Sequence, residues 1–498
     1  MMHLQALFGL LAWSLAAASP AWAQVPVVGT SLSLEDAIRI AHESNPEYRN
    51  QASALETLPW REREAWANFM PSASVLNSFG YTAGGERRFE DVTLGTQPAQ
   101  LQSRYSLSLQ LSLAGSAFYL PGVVDAQGDA TVAQVDGASA SLVDQVTRAY
   151  LAVLRADEVL TQARAEVDRT GAYVAQAEVQ VAVGAATPLD IRRAEVQQGQ
   201  AEVQLLQAEN SVVTTRLALV RILGAEIPAD VALTTRFEVF DPALDAGQLL
   251  GLALQENPAL RAALSQATVA RRQTRIAQTQ YLPTLSLSAG WSGFISQADQ
   301  IGPLVNSRLA QVSGQYGGCQ QDNRISALLG DPPRDCSIYD VSNPAVADAV
   351  RQQVRNANDG FPFSYDSQPL ALSATVSLPL FNGFTRELQV QEARVAEDNA
   401  QRQVAAEELR LRSEVETAVR TVETAQRTVE LQGRIRETSA EELRLAQERF
   451  RLGLASSIEV VDAQANLSQA ERNEISAVYD FHDAFAALES LVGTSLRD

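Results

Sequence analysis

The sequence contains no lysine, so all 39 basic residues among its 498 are arginine. That excludes a phosphate-binding loop of the GxxxxGK[ST] type and any Schiff-base lysine. Histidine is scarce: His3, His42 and His482 have no cysteine or second histidine near them in sequence. No zinc signature or histidine-based nucleophile relay is therefore written in the chain, and no metal or cofactor is expected. Past the first two dozen residues only Met70 remains as methionine, which argues against a thioether-lined metal path. Acidic pairs such as Glu407-Glu408 and Glu441-Glu442 fall in helical patterns and read as solvated faces, so the chain reads as no enzyme. A net charge of −20 argues against a nucleic-acid partner.

Long apolar runs are missing as well. After the amino terminus nothing approaches the ~18 consecutive apolar residues of a spanning helix. A membrane-crossing chain of this kind must cross as strands. The start is different: Leu7 to Ala18 is apolar, Pro20 breaks it, and Ala21-Trp22-Ala23 offers small residues for a cut before Gln24. Residues 1–23 thus read as a secretory signal, with an ordinary apolar helix as the alternative. No cysteine follows the cut, so this start predicts no lipid anchor. The only cysteines, Cys319 and Cys336, share one irregular segment. In an exported chain they are expected to pair, the alternative being two free thiols. The bridge would close a loop of about 15 residues and contribute about 3 kcal/mol through unfolded-state entropy.

What is present is a tandem duplication. Asn45-Pro46 returns as Asn257-Pro258, and Phe69-Met70-Pro71 as Tyr281-Leu282-Pro283, both at an offset of 212. Leu107-Ser108 and Ser112-Leu113 return as Leu372-Ser373 and Ser377-Leu378 at 265. Val183-Gly184 and Leu223-Gly224 return as Leu452-Gly453 and Val492-Gly493 at 269. The first repeat spans 24–238 and the second 239–498. Each has an opening helix, two strands and two long helices joined by a short turn. The jump of 53 residues between the first two offsets marks an insertion in the second repeat, at about 293–369. Its Gly317-Gly318, Pro332-Pro333 and Asn343-Pro344 predict a long surface loop.

The helices carry heptads. Ile191, Ala194, Gln198, Ala201, Leu205, Ala208, Val212, Thr215, Leu219 and Ile222 step by three and four, as do their counterparts from Val460 to Leu491. Thr385 to Arg451 contains no proline and one glycine, Gly433. As one helix it would be about 100 Å long at ~1.5 Å per residue, which suits a tube or spacer.

The strands alternate. Tyr105, Leu107, Leu109, Leu111 and Leu113 oppose Ser106, Ser108, Gln110 and Ser112. The same alternation follows Pro283 and runs through Leu370–Leu378, and a weaker one follows Pro71, where Asn77 shares the face of Ala73, Val75, Phe79 and Tyr81. Aromatics Phe79, Tyr81, Tyr105, Trp291, Phe381 and Phe384 lie near the strand ends. An apolar face against a Ser/Thr/Gly face suits lipid on one side and water on the other. Four strands cannot span alone, because every backbone group in lipid must be paired. The smallest membrane barrels have about 8 strands, so at least two chains must share one.

These residues, in this order, resemble the TolC-like outer-membrane efflux protein family, the outer membrane factors. The resemblance covers nearly the whole chain after residue 23. It implies a mixed α and β fold: long coiled-coil helices forming an α-barrel, plus four transmembrane strands per chain in a shared trimeric twelve-strand β-barrel. The implied function is the outer-membrane exit duct of a tripartite efflux or type I secretion system, reaching into the periplasm. A homotrimer in outer-membrane lipid would meet a periplasmic adaptor (membrane fusion) protein and an inner-membrane pump of RND or ABC type. Two turns, Val183-Gly184-Ala185-Ala186-Thr187 and Leu452-Gly453-Leu454-Ala455-Ser456, then correspond to the periplasmic tip that contacts the adaptor. Glu459 and Asp462 share a helix face and match aspartates ringing the narrow entrance, and Asp190 matches another tip aspartate. Phe450 stands where a gate tyrosine is found and Ala455 where a gate arginine is found. The usual polar latch is therefore incomplete, and packing of Phe450, Leu452 and Leu454 is its expected substitute. The rival functions are a passive porin and a coiled-coil surface protein. A porin needs no long helices, and an adhesin stalk needs no duplicated tip.

Overall fold

The computed structural model describes residues 31–89, 92–228, 231–242 and 244–496. The expected signal segment, 1–23, lies outside the described residues. The first repeat runs β1 (Ser31–Leu32), α1 (Leu34–Ser44), α2 (Pro46–Ala52), α3 (Leu58–Ala67), β2 (Ser72–Thr82), β3 (Gly85–Phe89), β4 (Val92–Gln97), β5 (Gln100–Leu113), α4 (Leu120–Ala182), α5 (Pro188–Leu223) and β6 (Ala232–Leu233). The second runs α6 (Ala246–Glu256), α7 (Pro258–Gln278), β7 (Thr284–Ala298), α8 (Gly302–Leu329), α9 (Pro344–Ala357), β8 (Asp366–Ser367), β9 (Ala371–Ser377), α10 (Thr385–Arg451) and α11 (Ser457–Val492). Two compact units result, and each draws on both repeats. A helical unit takes the described residues up to Trp60, Val123–Gln273 and those from Glu392 onward. A strand unit takes Arg61–Gly122 and Thr274–Gln391.

In the helical unit the duplicated landmarks explain one another. Asn45 ends α1 and caps α2: its side-chain oxygen accepts from the Tyr48 amide at 2.9 Å. Its amide donates to the Ile222 carbonyl, 2.8 Å away, in the last turn of α5. Asn257 repeats this with the Leu260 amide (3.0 Å) and the Leu491 carbonyl (2.9 Å). The following prolines sit in the first helical turn, where no amide hydrogen is needed. Gly224 and Gly493 end α5 and α11 in left-handed geometry, with φ of 67° and 87°. A Cβ on Gly224 would meet the Ser44 carbonyl oxygen at 2.5 Å, and one on Gly493 the Glu256 oxygen at 3.0 Å. Each Asn-Pro/Gly pair therefore docks a short helix on the end of a long one. Gly224→Ala is expected to cost more than the ~1 kcal/mol of a strained left-handed alanine, because a backbone carbonyl must also move. A larger fall in thermal midpoint for Gly224→Ala than for Gly199→Ala, where nothing lies within 4 Å, checks this.

Two apolar clusters lie beside these joints. Leu32, Ile40, Val146, Tyr150, Leu219 and Leu223 form one. Leu249, Leu411, Val415, Val422, Phe481, Phe485 and Leu488 form its counterpart in the second repeat. The heptad seam is visible as burial: Ala194, Ala201 and Ala208 on α5 are buried, as are Val460, Ala463, Leu467 and Ala470 on α11. A second stripe on α5, Val196, Val203, Leu206, Val213 and Leu217, is more than half exposed throughout.

The strand unit holds an antiparallel sheet in the order β2-β5-β7, with β9 and the short β8 both on the far edge of β7. Registers such as Val75↔Leu107, Leu107↔Trp291 and Ala289↔Leu372 put apolar residues on one face. The other carries Ser74, Ser108, Ser288 and Ser373, with hydroxyl pairs at 2.6 Å (Ser74–Ser108) and 2.7 Å (Ser288–Ser373). Val75 and Leu372 stay 77% and 74% exposed on that face, whereas Ser103 and Ile295 farther along it are buried, Ser103 bonding the Tyr365 hydroxyl at 2.9 Å. Among the described residues β2 and β9 each lack a neighbour on one side. Phe79, Phe361, Phe363, Tyr105 and Tyr365 gather toward the end of the sheet where β2 ends and β5 begins, and Trp66, Phe69 and Phe118 at the opposite end, before β2 and after β5.

The insertion differs from the loop that its composition predicts. β7 continues to Ala298, and the segment beyond it is mostly helical, with α8 and α9 as its main elements. Gly314, Gly317 and Gly318 lie inside α8 rather than ending it. Tertiary links outweigh their low helix propensity. Cys319 and Cys336 are bonded, with Cα atoms 5.8 Å apart. The Asn323 side chain accepts from the Arg334 amide and donates to its carbonyl, both at 2.7 Å. At the sheet, Asn358 brackets Ala298, accepting from its amide at 2.7 Å and donating to its carbonyl at 3.0 Å. The true loop punctuation is Gly330 (φ 80°) with Pro332-Pro333, between the two helices.

Candidate functional site

The two Gly-containing turns have the same construction. α4 ends at Ala182; Gly184 takes φ of 72°, and the Ala185 amide reaches back to the Gln180 carbonyl at 2.8 Å. α10 ends at Arg451; Gly453 takes φ of 70°, and the Leu454 amide reaches the Arg449 carbonyl at 2.7 Å. Thr187 and Ser456 cap the following helices, each in a reciprocal box with Asp190 or Glu459 three residues on. The acidic residues thereby sit in the first helical turn, where the helix dipole favours them.

The structure brings the two turns together. Asp190 accepts a hydrogen bond from the Ser457 hydroxyl of the other turn. Arg193 approaches Asp190 at 3.6 Å and the Ser457 hydroxyl at 3.5 Å. The Tyr173 hydroxyl donates to the Ser457 carbonyl at 3.3 Å. Beneath them Tyr173, Ala177, Ala194, Leu443, Phe450, Val460 and Leu467 form one buried cluster. Burial, and then the charge of Asp190, push the Tyr173 phenol up to about 12.

Of the residues expected at the entrance, Phe450 is placed inside this cluster, 5% exposed and with its ring 6.0 Å from that of Tyr173. It packs within its own chain rather than presenting a face. Leu452 and Leu454 are two-thirds exposed, as is Val183 at 73%. Glu459 is committed twice, to the Ser456 amide (3.3 Å) and to Arg449 (3.0 Å). Asp462 is exposed. Arg449, Ser457, Tyr173 and Arg193 are the members that sequence reasoning missed. No local spacing signals Arg449, ten residues before its partner and on another helix.

The Asp190 carboxyl is held below the ordinary carboxylate range, first by the Ser457 hydroxyl and then by the Thr187 amide. A lowered carboxylate stabilises the fold at neutral pH. That stabilisation erodes as pH falls through the ordinary carboxylate range and is gone below the lowered value. Asp190→Asn should therefore increase proteolysis at the 183–190 turn at pH 7 but make little difference near pH 2. Equal cleavage of variant and parent at pH 7 would remove Asp190 as the link between turns.

Among the described residues no group of histidine, cysteine and carboxylate side chains could hold a metal ion. Nor, among the described residues, is any helix long and apolar enough to cross a membrane.

The sequence family described as outer membrane efflux protein matches residues 37–225 and 344–494, more than half the chain. The unmatched stretch between them holds β7, α8 and both cysteines. The chain is 32% identical over 152 residues to the outer membrane protein TolC of Vibrio cholerae, covering 30% of this chain and 35% of that one. It is 24% identical over 261 residues to the cobalt-zinc-cadmium resistance protein CzcC of Cupriavidus metallidurans, covering 52% and 58%. The matched stretches thus span less than two thirds of either relative. Among solved structures, a membrane protein of Pseudomonas aeruginosa superposes with a TM-score of 0.68 at 19% identity, over 95% of this chain and 92% of that one.

Proposed function

Because this chain belongs to the outer membrane efflux protein family, we propose that it is the outer-membrane exit duct of a tripartite export assembly, three copies sharing one twelve-strand barrel. The observation that carries this reading is the sheet of β2, β5, β7 and β9. It is apolar and largely exposed on one face, hydroxyl-lined on the other, and among the described residues open at both edges. In lipid its free edges must find partners, and other copies of the same edges supply them. The exposed second stripe on α5 gives the helices a matching surface for a neighbouring copy. Long helices set the reading apart from a porin, which needs none.

The protein is a passive conduit, not an enzyme. Energy comes from an inner-membrane pump of RND or ABC type, reached through a periplasmic adaptor that docks on the turns at Gly184 and Gly453. Exposed Val183, Leu189, Leu452, Leu454 and Ile458 around those turns give the adaptor an apolar surface. Cargo is taken to be small solutes or cations, in keeping with the family's name and with the likeness to a metal-resistance protein. Protein secretion through the same duct is the alternative. Mass measurement of the detergent-extracted protein tests the assembly: three times the mass of the chain without residues 1–23 is expected, the full 498 residues weighing 53.8 kDa. A monomer or dimer overturns the shared barrel.

A further inference from the structure

The polar face of the sheet is almost free of charge. β2, β5, β7, β8 and β9 contain only two charged residues, Arg104 and Asp366. The registers place both at one level: Ser78 pairs with Arg104, Arg104 with Phe294, and Phe294 with Asp366. Directly paired residues share a face, so all four lie on the face of Ser74, Ser108, Ser288 and Ser373. The flanking residues agree. Tyr105, Tyr365 and Ser367 meet on the opposite face, where the Tyr105 and Ser367 hydroxyls are 3.2 Å apart and the Tyr105 and Tyr365 rings 4.8 Å. Arg104 and Asp366 are exposed, and Phe294 is 47% exposed. Two strand spacings, about 10 Å, separate the charged backbones. Among the described residues no ion pair neutralises either charge.

We propose that this row is a charge-selective band in the lumen of the duct. The proposal rests on the shared-barrel reading. When three copies close the barrel, Arg104 and Asp366 alternate around one ring, with Phe294 and Ser78 between them. Passing cargo meets fixed charges of alternating sign in a wall built mostly of Ser, Thr, Gly and Gln, with Leu76, Ala298 and Ala371 as its small apolar share. Arg104 receives carboxylate, sulfonate or phosphate groups, Asp366 receives ammonium groups, and Phe294 offers an apolar surface between them. The row lies toward the end of the sheet that carries the β3–β4 hairpin and the insertion, opposite the end at which β5 and β9 lead into α4 and α10, so it acts late in transit. Low-dielectric walls focus such fields, and the six charges cancel only in sum. Removing one sign leaves three uncompensated charges of the other.

The test uses the full-length protein in planar bilayers under a potassium chloride gradient, with reversal potential as the readout. Arg104→Gln is expected to raise the cation-to-anion permeability ratio by about threefold, and Asp366→Asn to lower it comparably. Arg104→Lys and the Arg104→Gln/Asp366→Asn double variant should both return to the parental ratio. Reversal potentials that stay put in both single variants, or move the same way in both, overturn the band while leaving the duct intact. A parental protein that forms no channel overturns the shared barrel instead. Detergent-resistant trimer on gels identifies folded variants, and Arg104→Ser, which also removes the charge, serves if Arg104→Gln does not assemble.

Discussion

Replacing Arg169 with methionine should loosen the joint between α4 and α11 more than any other single charge removal in the helical unit. The Arg169 guanidinium bonds Glu471 through two nitrogens at 2.9 and 2.6 Å and also holds Glu166, one turn back on its own helix. The Glu166 and Glu471 side chains are only 8% and 19% exposed, and Gln162 adds a bond to Glu471 at 3.0 Å. Intact, such a triad adds modestly to stability, because desolvation offsets most of the attraction. Breaking it is different: Arg169→Met leaves two carboxylates facing each other with little water, at a cost of about 3 kcal/mol. The lower end of the range applies because the guanidinium keeps about a third of its exposure. Hydrogen exchange should locate the effect, with amides of α4 and α11 around Thr170 and Leu467 exchanging about a hundredfold faster. The triple replacement Glu166→Leu/Arg169→Met/Glu471→Leu should recover most of the loss. If it exchanges as fast as the single variant, desolvated charge is not the cause.

This joint also shows where sequence reasoning stops. The duplication, the heptads and the strand alternation are periodic, and periodicity survives in a single chain. It located α10 at Thr385–Arg451 and separated the two faces of β5. The Asn-Pro and Gly landmarks were visible only as repeated pairs. Their reason, Asn45 gripping the end of α5 while Gly224 leaves room for the Ser44 carbonyl, needs the two segments in contact. The links that decide the candidate site lie between helices from different repeats. Asp190 to Ser457 and Arg169 to Glu471 span about 270 and 300 residues, and no spacing rule reaches that far. Phe450, placed at the gate by resemblance and expected to act by packing, has its ring in the space under Tyr173, a contact between α4 and α10 that no spacing in the sequence announces. In the insertion, Pro332-Pro333 and Asn343-Pro344 marked the break between α8 and α9, while Gly317-Gly318, read as loop, lie inside α8 beside the bonded Cys319.

Export should collapse when the apolar rim of the two turns is made acidic, although the duct itself survives. Val183→Asp combined with Leu452→Asp and Leu454→Asp alters three side chains already 73%, 66% and 67% exposed. Substitutions at such positions usually change stability by less than about 0.5 kcal/mol, so trimers and channel conductance should persist. Docking is affected differently, because three new carboxylates would be buried against the adaptor without partners. Each unpaired polar group costs about 1–3 kcal/mol and every 1.4 kcal/mol is tenfold in affinity, so binding should fall at least a hundredfold. Resistance conferred by the system should drop to that of a strain lacking the protein. Single cysteines at Ala185 and Leu454 supply the physical readout, since the native pair is bonded and leaves no free thiol among the described residues. In the parent background they should cross-link to the adaptor, and with the acidic substitutions (Ala185→Cys only) the product should vanish. Undiminished resistance together with an undiminished cross-link would move the docking surface away from these turns.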